Sequence, residues 1–160
     1  MNALATLINI SNISLDIEIT NSKELFQYLG TLFEQKTKVP AKQVIESLES
    51  RERMGSTGLG HQIAIPHGRI QNLANAHIGF IRLKRGIDFK APDQQAVQVF
   101  VVMLVPEQAS QAHLDILSQI VQTLSDQTSR ALLFTETNPE TIYSILTEQN
   151  VQASLASLKI

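Results

Sequence analysis

Residues 97–105 read VQVFVVMLV, β-branched and apolar at nearly every position. A strand with one wet face alternates apolar and polar side chains. A run apolar on both faces predicts a central strand buried on both sides. Pro106 closes it. Working outward toward the N-terminus, residues 76–83 (AHIGFIRL) predict a second strand, with Gly86 supplying the turn between the two. Further back, Ile63 and Ile65 alternate within His61–His67, which predicts a third strand ended by Pro66, a residue that cannot donate to a ladder. On the C-terminal side, Ser110 can cap a helix over 111–126, with Leu114, Leu117, Ile120, Val121 and Leu124 on its apolar side. A shorter helix follows over 128–135. Asn138 before Pro139 marks the cap and first turn of a last helix running to about residue 149. Near the N-terminus, Asn21 and Ser22 offer cap oxygens. Leu25, Phe26, Leu29, Leu32 and Phe33 then recur at helical spacing, so 22–36 read as an amphipathic helix. Val44, Ile45 and Leu48 predict another helix over 41–52. Residues 1–20 carry no clear period. Helices at both ends with strands between them predict a mixed sheet covered by helices.

Composition narrows the class. The chain has 160 residues, of which 43% are hydrophobic, enough for a core in one domain. We expect that domain over 1–150 and a tail over 151–160. Acidic residues exceed basic ones, 15 to 13, so no basic excess points to nucleic acid. There is no cysteine, which removes disulfides, cysteine-ligated metals and cysteine nucleophiles together. No run is long enough to span a bilayer, and the first residues lack the basic start and apolar centre expected of a signal peptide. The expectation is a soluble, cytoplasmic protein.

The chemistry-bearing residues cluster around Arg51–Gly68, RERMGSTGLGHQIAIPHG. Gly55, Gly58, Gly60 and Gly68 are four of the chain's seven glycines. Glycine permits positive φ and close approach by a ligand. No Gly-Lys-Ser/Thr follows them, so this is not a Walker loop. His67 stands where the predicted strand meets a loop. A neutral imidazole nitrogen there is a nucleophile near physiological pH. The glycine loop offers backbone N–H groups to an anion, and Ser56 and Thr57 add hydroxyls. An isolated histidine is more often a surface or core residue, and it is this surrounding loop that raises His67 above that reading. His113 falls in the first turn of the 111–126 helix, where a neutral ring can donate to a phosphoryl oxygen. Its bland reading is a solvated capping residue, and the sequence does not by itself put it beside His67. His61 shares a strand face with His67, but six extended residues separate the rings by about 20 Å, too far for one metal ion. His77 begins a strand and reads as structural. Arg51 can fork onto two phosphoryl oxygens, although charges in an Arg-Glu-Arg run are usually solvated. Glu107 and Asp115 can orient a histidine or simply solvate the surface.

With these residues in view, the chain resembles the IIA components of the mannitol/fructose branch of the bacterial phosphotransferase system. The likeness rests on Arg-Glu at 51–52, Gly-Ser-Thr-Gly at 55–58 and Ala-Ile-Pro-His-Gly at 64–68. It continues through Met103–Glu107, then His113, Leu114 and Leu117. The wording Arg-Met-Gly-Ser-Thr-Gly-Leu-Gly favours the nitrogen-regulatory subgroup. The resemblance implies an α/β sandwich with a mixed sheet and flanking helices. It also implies that His67 is phosphorylated, at Nε2, that His113 is the second active-site histidine, and that Arg51 lies near the phosphoryl group, with Ser56, Thr57 and Gly58 in the adjoining loop. The implied donor is a histidine phosphocarrier protein of the nitrogen branch, itself charged from phosphoenolpyruvate by enzyme I. The implied output is regulation of partners in potassium transport and in nitrogen or carbon metabolism. No metal or diffusible cofactor is implied. Arg69 stands where lysine is common in the subgroup, and His61 where Asn or Glu is common. A docking donor calls for an exposed apolar rim, with Met54, Leu59 and Ile70 as candidates. Two alternatives remain. One is a sugar-specific IIA enzyme passing the group to a IIB domain; the other is a binding module that is not phosphorylated.

Overall fold

The computed structural model describes residues 3–108 and 110–148. The predicted tail lies outside the described residues. A short 3-10 turn, Ala3–Thr6, leads into β1 (Ile8–Ile17), then α1 (Ser22–Thr37) and α2 (Ala41–Met54). Four strands follow: β2 (Gly58–Gly60), β3 (Ile63–Ala64), β4 (His67–Ile70) and β5 (His77–Ile87). Then come β6 (Val97–Pro106), α3 (Gln111–Ser125), α4 (Gln127–Thr135) and α5 (Pro139–Thr147). Among the described residues before α1 there is no helix beyond that 3-10 turn. Their polar interruptions fit β1, where residues 9–12 are inserted between the Ile8–Ile78 and Ile13–Phe80 pairings.

The sheet is mixed, ordered β1-β5-β6-β3-β2, with β4 also pairing β6. β6 is central. Its side chains alternate between two buried clusters: Phe100, Val102 and Leu104 pack with Leu25, Leu29, Phe33, Val44 and Leu48 of α1 and α2. Val99, Val101, Met103 and Val105 pack with Ile116, Ile120, Leu124, Leu133 and Ile142 of α3, α4 and α5. Helices therefore cover both faces, which is why β6 is apolar throughout. One polar group crosses the second cluster. Arg82 is 2% exposed. Its Nε and Nη2 donate to Asp16 at 3.1 and 3.4 Å, and its Nη1 donates to the Leu133 carbonyl at 3.1 Å. Each of the three guanidinium nitrogens thus donates to an oxygen, as burial of a charge requires.

Three expectations are corrected. Gly86 does not make the β5–β6 turn. It lies inside β5, where a Cβ would sit 2.9 Å from the Ala96 Cβ, so its role is close strand approach. Secondly, His61–His67 is not one strand. His61 and Gln62 are the two-residue turn of the β2–β3 hairpin, with φ of 55° and 64°. Positive φ at both central residues matches the right-handed twist of the hairpin. Finally, His67 does not end a strand but begins β4. β3 and β4 keep one pairing offset against β6, from Ile63↔Val99 to His67↔Met103 and Ile70↔Pro106. They are a single strand interrupted at Ile65–Pro66, where the proline has no N–H to give.

Candidate functional site

The interruption sets up the site. Ile65 points its N–H away from β6, to the Thr57 carbonyl at 3.1 Å. Its own carbonyl lies 2.8 Å from Nδ1 of His67. A carbonyl only accepts, so this Nδ1 carries the proton, and the lone pair of the neutral ring is on Nε2. His113 is arranged the opposite way. The Ser110 N–H donates to its Nδ1 at 3.0 Å, closing a capping box at the start of α3. Nδ1 is therefore the acceptor, and the neutral ring carries its proton on Nε2. One neutral ring thus has its lone pair at Nε2 and the other its N–H at Nε2.

The topology places both on one side of the sheet. His67 pairs with Met103, whose side chain belongs to the cluster with Ile116 of α3. Side chains of paired residues share a face, so His67 emerges on the α3 face, near the end of β6 from which the chain departs for α3. His113 lies one turn before Ile116 on that helix. Gly68, the next residue along, faces the other way, with a Cβ position 2.3 Å from Ser47 Oγ of α2.

The loop residues are held by α2. Arg51 Nη1 donates to the Gly55 carbonyl at 2.7 Å. Gly55 has φ of 153° with ψ of 150°, a conformation essentially reserved for glycine. Ser56 Oγ accepts from the Gly58 N–H at 3.0 Å. Thr57 is buried, and its hydroxyl and its N–H both donate to the Glu52 carboxylate, the latter at 3.1 Å. The Thr57 hydroxyl is thus already engaged. The structure links Arg51, Glu52 and Thr57 into one clasp on the loop, and Thr57 through Ile65 to His67. Among the described residues no hydrogen bond joins Arg51 or Ser56 to either imidazole. Among the described residues neither the Glu107 nor the Asp115 carboxylate is hydrogen-bonded to a histidine; the Asp115 carboxylate accepts from Gln111 at 3.1 Å. Glu52 escaped the sequence reading because an Arg-Glu-Arg run reads as a solvated helix end. The available signal was a threonine one loop beyond it. Of the proposed apolar rim, Met54 and Leu59 are 83% and 40% exposed, whereas Ile70 is 1% exposed and belongs to the core. Leu114, beside His113, is 55% exposed and takes its place.

Residues 6–149 match the family model described as phosphoenolpyruvate-dependent sugar phosphotransferase system, EIIA 2. The chain belongs to this family. A nitrogen regulatory protein of Escherichia coli is 32% identical over 82% of this chain and 82% of its own length. One from Pseudomonas aeruginosa is 37% identical over 70% of this chain and 73% of its own. The crystal structure of nitrogen regulatory protein IIA-Ntr from Neisseria meningitidis superposes with a TM-score of 0.87 at 38% identity, covering 90% of this chain and 99% of that one. The three-layer arrangement is thus the EIIA type 2 fold, and family membership makes the chain a phosphotransfer protein in general. Among the described residues no helix is long and apolar enough to cross a membrane.

Proposed function

We propose that the protein is a phosphocarrier of the nitrogen-related phosphotransferase system, with His67 as the residue that carries the group. The observation behind this is the pair of opposed imidazole tautomers on one sheet face, at 2.8 Å to Ile65 O and 3.0 Å from Ser110 N. The lone pair on His67 Nε2 attacks the phosphorus of a donor phosphohistidine. A new N–P bond forms, the donor's N–P bond breaks, and its electron pair returns to the donor nitrogen. The product ring on His67 gains positive charge, which the Ile65 carbonyl at Nδ1–H stabilises. Phosphoryl transfer needs little covalent help beyond in-line positioning and donors on the equatorial oxygens. On this reading His113 Nε2–H is one such donor. Arg51 retains N–H groups beyond the one given to Gly55 and is another. Met54, Leu59 and Leu114 form the apolar rim on which the donor docks.

On this reading the donor is the histidine phosphocarrier of the nitrogen branch, charged from phosphoenolpyruvate by enzyme I. The phosphorylation state of His67 then regulates potassium transport and nitrogen or carbon metabolism through partner proteins. The test is intact mass after incubation with phosphoenolpyruvate, enzyme I and that carrier. One acid-labile phosphoryl group should be gained and should be absent in His67→Ala. His113→Ala should slow the gain without abolishing it, and Arg51→Lys should weaken it because the fork is lost while the charge stays. Charging by the sugar-branch carrier alone would instead indicate a sugar-specific IIA enzyme. No charging by either carrier would leave a binding module.

A further inference from the structure

We propose that Glu52 is a positioning residue for His67, acting through Thr57 and Ile65 to hold the imidazole in its Nδ1–H tautomer. This rests on the reading of His67 as the phosphoryl acceptor. The Glu52 carboxylate receives two hydrogen bonds from buried Thr57, one from the hydroxyl and one from the N–H. The Thr57 carbonyl receives the Ile65 N–H at 3.1 Å, and the Ile65 carbonyl receives His67 Nδ1–H at 2.8 Å. The middle link is backbone to backbone, Thr57 is buried, and the side-chain links at either end are half-buried, so the geometry of one passes to the next.

The weak point of that relay explains why it needs an anchor. The Ile65 carbonyl belongs to the Ile65–Pro66 peptide, which has no N–H of its own. Nothing on the donor side of that plane can fix it to the sheet. β4 resumes the ladder only at His67, although the Pro66 carbonyl already accepts the Met103 N–H at 3.0 Å. The bond from Ile65 N–H to Thr57 holds the preceding peptide, and with the extended ψ that Pro66 imposes on Ile65 it aims the Ile65 carbonyl. Thr57 in turn lies in a loop that no strand pairs at that position, since β2 begins at Gly58. Glu52, on the last turn of α2, ties the Thr57 end of this loop to the helical layer, as Arg51 ties the Gly55 end. A carboxylate suits the task because it accepts twice and donates nothing. Glutamine at the same place has one acceptor oxygen and a competing NH2 donor.

The experiment reads tautomer and rate separately. Long-range 1H–15N correlation of the His67 ring, at about pH 8.5 where imidazole is neutral, reports which nitrogen is protonated. Wild type should show the Nδ1–H form. Glu52→Gln and Thr57→Val should shift the ring toward a mixture of tautomers. Both should slow phosphorylation by roughly tenfold, the worth of about one hydrogen bond to a charged group, in maximal rate rather than in dependence on donor concentration. Thr57→Ser keeps the hydroxyl and should retain wild-type behaviour. Should Glu52→Gln fail to fold, the Thr57→Val and Thr57→Ser pair decides the question. A wild-type ring pattern in Thr57→Val or Glu52→Gln overturns the proposal, even if the rate falls, because Glu52 would then act by another route. A Thr57→Ser ring as mixed as that of Thr57→Val overturns it as well. Absence of phosphorylation in wild type would count against the phosphocarrier reading, while the ring pattern would still decide the role of Glu52.

Discussion

Gly68→Ala offers a test of how closely α2 must approach the strand that carries His67. An added Cβ would lie 2.3 Å from Ser47 Oγ, 3.2 Å from Ser47 Cβ and 3.3 Å from the Ser47 carbonyl carbon. The first contact can be relieved by rotating the serine, but its Oγ then gives up the bond it donates to the Arg69 carbonyl at 2.7 Å. That costs about 1 kcal/mol. The other two contacts involve atoms fixed to the helix, so α2 must retreat by a few tenths of an ångström, and overpacking of this kind costs about 1–3 kcal/mol. Against this, replacing glycine by alanine stabilises by about 0.4–1 kcal/mol through the unfolded chain. The net expectation is a loss of about 1–3.5 kcal/mol in urea unfolding. Ser47→Ala supplies the control. It removes the 2.3 Å contact, so a double-mutant cycle should show the two changes coupled favourably by about 1 kcal/mol. Gly68→Ala within about 0.5 kcal/mol of wild type, the scatter of an ordinary surface substitution, would refute the claim that the helix needs a bare strand here. Strict additivity in the cycle would refute the assignment of the clash to Ser47.

Two further outcomes follow from local geometry. Gln62 holds φ of 64° in a hairpin turn that glycine fills without strain, so Gln62→Gly should raise stability by about 1 kcal/mol in urea unfolding, and a loss instead would mean that the Gln62 side chain contributes to the turn. Burial of His77 at the start of β5 holds its ring below the usual imidazole range. The unfolded chain then takes up the proton more readily than the native one, so this contribution is complete above about pH 6.5 and is lost as the pH falls through the lower native value. Urea midpoints should therefore fall between about pH 7.5 and 5, and His77→Gln should flatten part of that slope; an unchanged slope would assign the pH dependence to other groups.

The parts of this fold that were legible in the sequence are those whose signal is local and repeated. β6 announces burial on both faces by its composition. The first helix announces itself through the spacing of Leu25, Leu29 and Phe33 and through Asn21, whose side chain accepts from the Glu24 N–H at 2.9 Å. The break at Pro66 was legible, because proline cannot donate to a ladder. That the strand resumes at His67 in the same register was not, because the pairing offset against β6 lives in the partner. The hairpin at His61–Gln62 was hidden for a related reason. It takes positive φ without Asn-Gly or any other turn signature, and tertiary pairing enforces what local preference opposes. Gly86 misled in the opposite sense, since its glycine serves packing against Ala96 rather than a turn. At the site, His67 and His113 stood out by type and context. Their tautomers could not, because the deciding partners are the Ile65 carbonyl and the Ser110 N–H, which every sequence possesses.

That last point bears on how the site is built. Both histidines take their orientation from backbone atoms, so no single side-chain loss deletes either partner. The Ile65 carbonyl is available to His67 because two absences coincide. β2 begins only at Gly58, so no neighbouring strand claims that carbonyl at the sheet edge. Pro66 brings no N–H, so the peptide plane is not locked into the ladder. A longer β2 would give a sounder sheet edge and a worse acceptor, since a strand N–H would compete with the imidazole for the same oxygen. The short edge strand and the proline break are therefore one device. Together they leave the Ile65 carbonyl to His67 Nδ1 at 2.8 Å, which keeps the lone pair of the neutral ring on Nε2, and on the proposal above the clasp of Glu52 on Thr57 restores the order that the shortened strand gives up.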